Sequence, residues 1–82
     1  MKTKPTSPQS FGLILRDARK RKGLSQTEAG KCVGIDQPTL SKIERGESNA
    51  RIDTLFRLLA ALDLELLVLH REATSSQNGD NW

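Results

Sequence analysis

One stretch constrains this chain more than any other: Gly23 to Gly46, GLSQTEAGKCVGIDQPTLSKIERG. Ser25 is followed three residues later by Glu28, the pairing in which two side chains satisfy each other's backbone N–H groups where a helix begins. Gly34 falls where that helix must stop and the chain must turn sharply. Asp36 then precedes Gln37 and Pro38, and Pro is tolerated in a first turn because N–H groups there lack intrahelical acceptors. The spacing predicts two short helices, Gln26 to Val33 and one starting at Gln37, joined by a tight turn. Ala29, Val33, Ile35, Leu40 and Ile43 fall on the inward side, and Gln37, Ser41, Lys42 and Arg45 on an outer one. A short helix with a dry back and a hydrogen-bonding front is what a DNA major groove accepts.

The flanks extend the helical pattern. Ser7-Pro8 reads as a cap with Pro at the first helical position, and Phe11, Ile14, Leu15 and Ala18 form an amphipathic stripe. This predicts a first helix from about Pro8 to Lys22, ending at Gly23, after a flexible arm at residues 1–7. Gly30, inside the second helix, costs about 1 kcal/mol relative to Ala, so close approach of the next helix is expected there. Ile52, Leu55, Phe56, Leu59 and Leu62 predict a fourth helix that closes the core. With two Phe, one Trp and no Tyr in 82 residues, that core must be aliphatic, and the length suits one domain.

From Leu62 onward the pattern changes. Leu64, Leu66 and Val68 alternate with Glu65, Leu67 and Leu69, which suits a strand over residues 63–72, while extension of the fourth helix remains the alternative. No other segment reads as a strand, so its ladder partner would be the same strand of a second copy. On either reading Leu64, Leu66, Leu67, Val68 and Leu69 form a dimer interface. Residues 73–82, ATSSQNGDNW, read as a disordered polar tail. Its last residue, Trp82, is either a chance terminal aromatic or an anchor for a partner's pocket.

The net charge of +3 conceals an asymmetry. Residues 1–22 hold seven bases and one acid, whereas residues 52–82 hold two bases and five acids. The basic end suits a polyanion, although Lys20, Arg21 and Lys22 also complement a helix C-terminus without any ligand. One His (His70) and one Cys (Cys32) make no zinc cluster and no catalytic pair, so no enzyme, metal or cofactor is expected. Cys32 reads as a small, partly buried apolar residue. The lone Cys, the missing apolar leader and the lack of a run near 20 apolar residues point to the cytoplasm.

The central segment resembles the helix-turn-helix of the Xre/phage-repressor family. The match covers Ser25, Gln26, Gly34, Gln37, Leu40, Ser41, Ile43, Glu44, Arg45 and Gly46, with Leu15-Arg16 and Arg19-Lys20 upstream and Ile52, Thr54 and Leu55 downstream. Two departures stand out: Ala29-Gly30 replaces a usual Leu-Ala pair, and Pro38 sits where a polar residue is common. The resemblance implies an all-α, lambda-repressor-like domain of four to five helices over residues 8–62, paired as a homodimer through the C-terminal strand. It implies base reading by Gln37, Pro38, Ser41 and Lys42, and phosphate contacts from Ser25, Gln26, Thr39 and Arg45. It also implies a structural ion pair between Glu44 and Arg19. The Ser-Pro start, Leu-rich segment and Trp-ended tail further resemble HipB-type antitoxins. That likeness implies palindromic operator DNA, autoregulation and a HipA-like serine/threonine kinase toxin as partners, with Trp82 as the docking element. A regulator of the same family without a toxin partner is the alternative.

Overall fold

The computed structural model describes residues 3–47 and 49–71. Four helices follow one another: α1 (Pro8–Arg21), α2 (Gln26–Val33), α3 (Gln37–Glu44) and α4 (Ile52–Ala61). Local chemistry sets where each of the first three begins. Ser7 and Ser10 form a reciprocal capping box on α1, Ser25 and Glu28 do the same on α2, and the Asp36 carboxylate accepts the Thr39 N–H on α3. Helix α4 starts at Arg51 without a side-chain cap.

Helix ends are equally local. Gly34 adopts φ 78°, a left-handed conformation that a side chain would strain, and this turns α2 into α3 within a few residues. Asp63 makes the same turn after α4 with φ 57°. Its N–H donates to Ala60 and the Leu64 N–H to Leu59 (2.8 Å), the paired bonds that seal a left-handed helix end. Asp tolerates this conformation better than most residues.

Leu15, Leu40 and Leu58, from α1, α3 and α4, are fully buried at the centre. Ala18, Ala29, Val33, Ile43, Leu59 and Leu62 surround them, and Phe11 and Ile35 pack half-buried against this aliphatic cluster. At Gly30 a Cβ would lie 2.6 Å from the Ile35 carbonyl oxygen, so it is the turn before α3, more than the helix itself, that demands glycine there.

Three expectations need correction. First, residues 64–71 form neither a strand nor a continuation of α4: the Asp63 turn ends the helix, and the single chain offers no ladder partner. Leu64 is half-buried against the core, whereas Leu66, Leu67, Val68 and Leu69 are exposed. Second, the buried face of α4 is Thr54, Leu58 and Leu59, with Ile52 72% and Phe56 50% exposed. Apolar residues lie nearly all round this helix, so contact with α2 selects the buried face and periodicity alone does not. Third, Cys32 is exposed, because Ala29 and Val33 hold the inward side of α2. The tail 73–82, with Trp82, lies outside the described residues, as do residues 1–2 of the arm.

Candidate nucleic-acid interface

The starts of α2 and α3 lie side by side because the turn at Gly34 is short and α2 packs on α3. At the first start, the Ser25 N–H donates to Glu28 Oε1 (2.8 Å) and Ser25 Oγ accepts from the Glu28 N–H (3.0 Å). The Ser25 backbone and hydroxyl together hold the Glu28 carboxyl below its ordinary range. At the second, the Thr39 hydroxyl and then its N–H hold the Asp36 carboxyl below its usual value. Both helix starts are thereby fixed before any ligand arrives.

Behind them runs a polar relay from core to surface. Arg19 donates through Nε to Glu44 Oε2 (2.6 Å) and through a terminal nitrogen to Oε1 (3.1 Å), a two-point grip on a carboxylate only 3% exposed. The other terminal nitrogen of Arg19 donates to the Leu24 carbonyl (2.8 Å), tying the grip to the α1–α2 connection. Gln26 Nε2 donates to Glu44 Oε1 (2.9 Å), and Gln37 Nε2 donates to Gln26 Oε1 (2.6 Å). The direction of this relay is dictated by its inner end. A carboxylate only accepts, so Gln26 must turn its NH2 inward and its oxygen outward, and Gln37 must donate to that oxygen. What remains free on Gln37 is its own oxygen and one amide hydrogen.

Around Gln37, Pro38 and Lys42 are exposed, and Ser41 and Thr39 are half-buried. Arg45 donates to the Ser41 hydroxyl and lies 3.2 Å from Glu47 Oε1. Ser25 is exposed beside Gln26, whose amide keeps one hydrogen not used toward Glu44. The structure thus brings Ser25, Gln26, Gln37, Ser41 and Arg45 to one region, with Glu44 and Arg19 beneath it. Sequence reasoning missed the link from Gln26 to Glu44 and the pairing of Arg45 with Glu47. It also missed a contribution of α1, whose Gln9, Leu13 and Arg16 face Gln26, Ser41 and Arg45 across an open groove. The helical spacing of Gln9, Leu13 and Arg16 was visible in the sequence, but which element they flank was not.

Among the described residues no three His, Cys, Asp or Glu side chains gather as a metal site, and no helix is long and apolar enough to cross a membrane. The leucines expected at a dimer interface are exposed from Leu66 to Leu69, and His70 is exposed beyond them.

Comparison with known proteins places these observations in context. The helix-turn-helix family HTH_3 matches residues 15–69. Antitoxin HipB of Escherichia coli is 30% identical over 77 residues, covering 88% of each chain. A solved HipA-HipB-O2-O3 complex contains a chain that superposes with a TM-score of 0.76 at 28% identity, covering 87% of this chain and 100% of that one. The restriction-modification controller protein C.AhdI from Aeromonas hydrophila superposes with a TM-score of 0.66 at 36% identity, over 71% of this chain and 84% of that one.

Proposed function

Given that this chain belongs to the Xre-type helix-turn-helix family of DNA-binding regulators, we propose that it is an operator-binding repressor of the HipB antitoxin kind. It represses its own operon as a homodimer and binds a HipA-like serine/threonine kinase toxin. The observation that carries the DNA reading is the relay ending at Gln37. Its free oxygen and remaining amide hydrogen match adenine, which offers an N6 hydrogen and an N7 acceptor in the major groove. A free, rotating amide would present either order of donor and acceptor; one held by Gln26 presents one. Pro38 offers apolar contact to a thymine methyl, and Ser41 and Lys42 extend the reading surface. Ser25, Gln26, Thr39 and Arg45 hold phosphates.

What supports dimerisation is the exposed run Leu66–Leu69, which an antiparallel copy of the same segment would pair and cover. The kinase partner is supported by the HipA-containing complex of a relative that aligns with most of this chain. A regulator without a toxin partner is the second reading, supported by the 36% identity to a restriction-modification controller protein.

Selection of bound duplexes from a random library tests the first part. A palindromic consensus with half-sites about 34 Å apart is expected. Gln37→Ala should relax preference at one position per half-site at a cost of about 1–3 kcal/mol. Uniform weakening across all sequences would remove Gln37 from base reading. Co-purification of the full chain and a Trp82-deleted chain with a kinase encoded alongside it separates the antitoxin from the stand-alone regulator.

A further inference from the structure

The residues assigned to DNA so far all come from α2, α3 and the turns that flank them. Helix α1 also has a flank that borders them. Gly12 and Arg19 mark where α1 meets α3: a Cβ on Gly12 would lie 2.6 Å from the Ile43 carbonyl oxygen, and Arg19 grips Glu44. Gln9, Leu13, Arg16 and Lys20 follow one another at i, i+4, i+7 and i+11, so they form one exposed line immediately beside that seam. The first three line the groove whose far wall is Gln26, Ser41 and Arg45.

The cations on this line have no acidic partner among the described residues: Lys20 meets only the C-terminal dipole of α1, and Glu47, which also lines the groove, is held by Arg45. Among the described residues, Arg16 and Lys20 take part in no ion pair, whereas Arg45 is paired with Glu47 and Lys22 with Asp63. Asp17, the sole acid of α1, lies three residues before Lys20 and four before Arg21, and among the described residues it forms an ion pair with neither. Glu44, at the floor of the groove, is already neutralised by Arg19.

We propose that Arg16 and Lys20 form a second contact line for the DNA sugar-phosphate backbone, so that α1 clamps the strand flanking the groove read by α3. This rests on the DNA-binding reading above. The contact carries no base information and fixes the approach of α3 to the groove. Leu13, 53% exposed between the two polar ends of the groove, adds aliphatic surface of the kind that lies against deoxyribose.

The probe is a labelled 30-base-pair duplex of random sequence, titrated with the full-length chain at increasing NaCl. The slope of log affinity against log salt becomes shallower by about 0.9 for each phosphate that is no longer neutralised. Arg16→Gln and Lys20→Gln should each flatten the slope by about one such step, Arg16→Lys should keep it, and Arg21→Gln on the other flank should leave it unchanged. Thermal melting of each variant should stay close to that of the parent chain, since none of these side chains is bonded to the fold and Lys20→Gln and Arg21→Gln lose alike only the interaction with the α1 C-terminal dipole. Equal flattening by Arg16→Gln and Arg21→Gln would reduce the effect to net charge and overturn the clamp. So would an unchanged slope in Arg16→Gln and Lys20→Gln beside a steep one in the parent. A parent chain with no salt-dependent DNA binding would instead overturn the reading on which the clamp depends.

Discussion

Three donors surround the Glu44 carboxylate at 3% side-chain exposure: two from Arg19 and one from Gln26. Removing one side of such a pair strands the other in a low-dielectric setting. Arg19→Met should therefore lower unfolding free energy by about 3–5 kcal/mol, read from the urea midpoint. Glu44→Gln is the more informative change. It offers Gln26 and Arg19 one acceptor and two donors in place of a carboxylate, so the direction of the relay is lost. It should blur the base preference at Gln37 as well as destabilise the fold, and library selection would register the first effect. Glu47 acts in the opposite sense. It holds Arg45 at 3.2 Å and competes with any phosphate for that guanidinium. Glu47→Gln should tighten binding to all duplexes and steepen the salt dependence; unchanged affinity would mean that Arg45 meets no phosphate.

At the scale of elements, the helix starts are electrostatic devices with a predictable response to acid. The carboxyls of Glu28, Asp36 and Asp53 are each held below their ordinary range, by Ser25, Thr39 and Arg51 respectively. A depressed folded-state pKa means that the unfolded chain binds protons first as pH falls. The stability these first-turn and capping carboxylates contribute is thus complete above the ordinary carboxylate value of about 4 and is lost as pH falls through and below it. Melting temperature should be flat from neutral pH down to that point and then drop, and Asp36→Asn should shrink the drop. Packing between elements is less forgiving. On α1, Gly12 leaves no room for a Cβ against the backbone of Ile43 and Glu44. Backbone on both sides cannot yield as a side-chain tip would, so Gly12→Ala should cost about 1–3 kcal/mol by forcing α1 from α3. Its higher helix propensity, worth about 1 kcal/mol, offsets only part of that. Chemical denaturation compares the two directly.

Across the whole molecule, apolar and polar surfaces are segregated. The exposed large apolar residues of α4 and the segment after it are Ile52, Phe56, Leu66, Leu67, Val68 and Leu69, against Leu13 alone elsewhere among the described residues. The polar relay and the α1 line lie on the other elements. On the function proposed above, one region meets DNA and the other a second copy, the arrangement a two-fold repressor needs. Leu67→Asp together with Leu69→Asp should give monomers in sedimentation equilibrium while leaving the helical fold intact. Those monomers should bind a palindromic site far more weakly than the parent chain, because each half-site is then engaged alone.

What the residue string determined by itself is whatever depends on near neighbours. The Ser25–Glu28 capping box, the caps at Ser7 and Asp36 and the left-handed turn at Gly34 each involve groups within a few residues, so they were legible by spacing, whereas the reciprocal role of Ser10 at Ser7 was not read. The extents of α2 and α3, and the outward placement of Gln37, followed from them. Three matters were decided only when elements met. The buried face of α4 depended on its contact with α2, since Ile52 and Phe56 fit an apolar stripe as well as Leu58 does. The fate of residues 64–71 turned on Asp63 adopting φ 57° and on the ladder partner a single chain cannot supply. The orientation of Gln37 was set through Gln26 by a carboxylate 18 residues further on from Gln26, which no local rule connects. Local hydrogen bonding makes the helices; one buried carboxylate far along the chain orients Gln37 through Gln26.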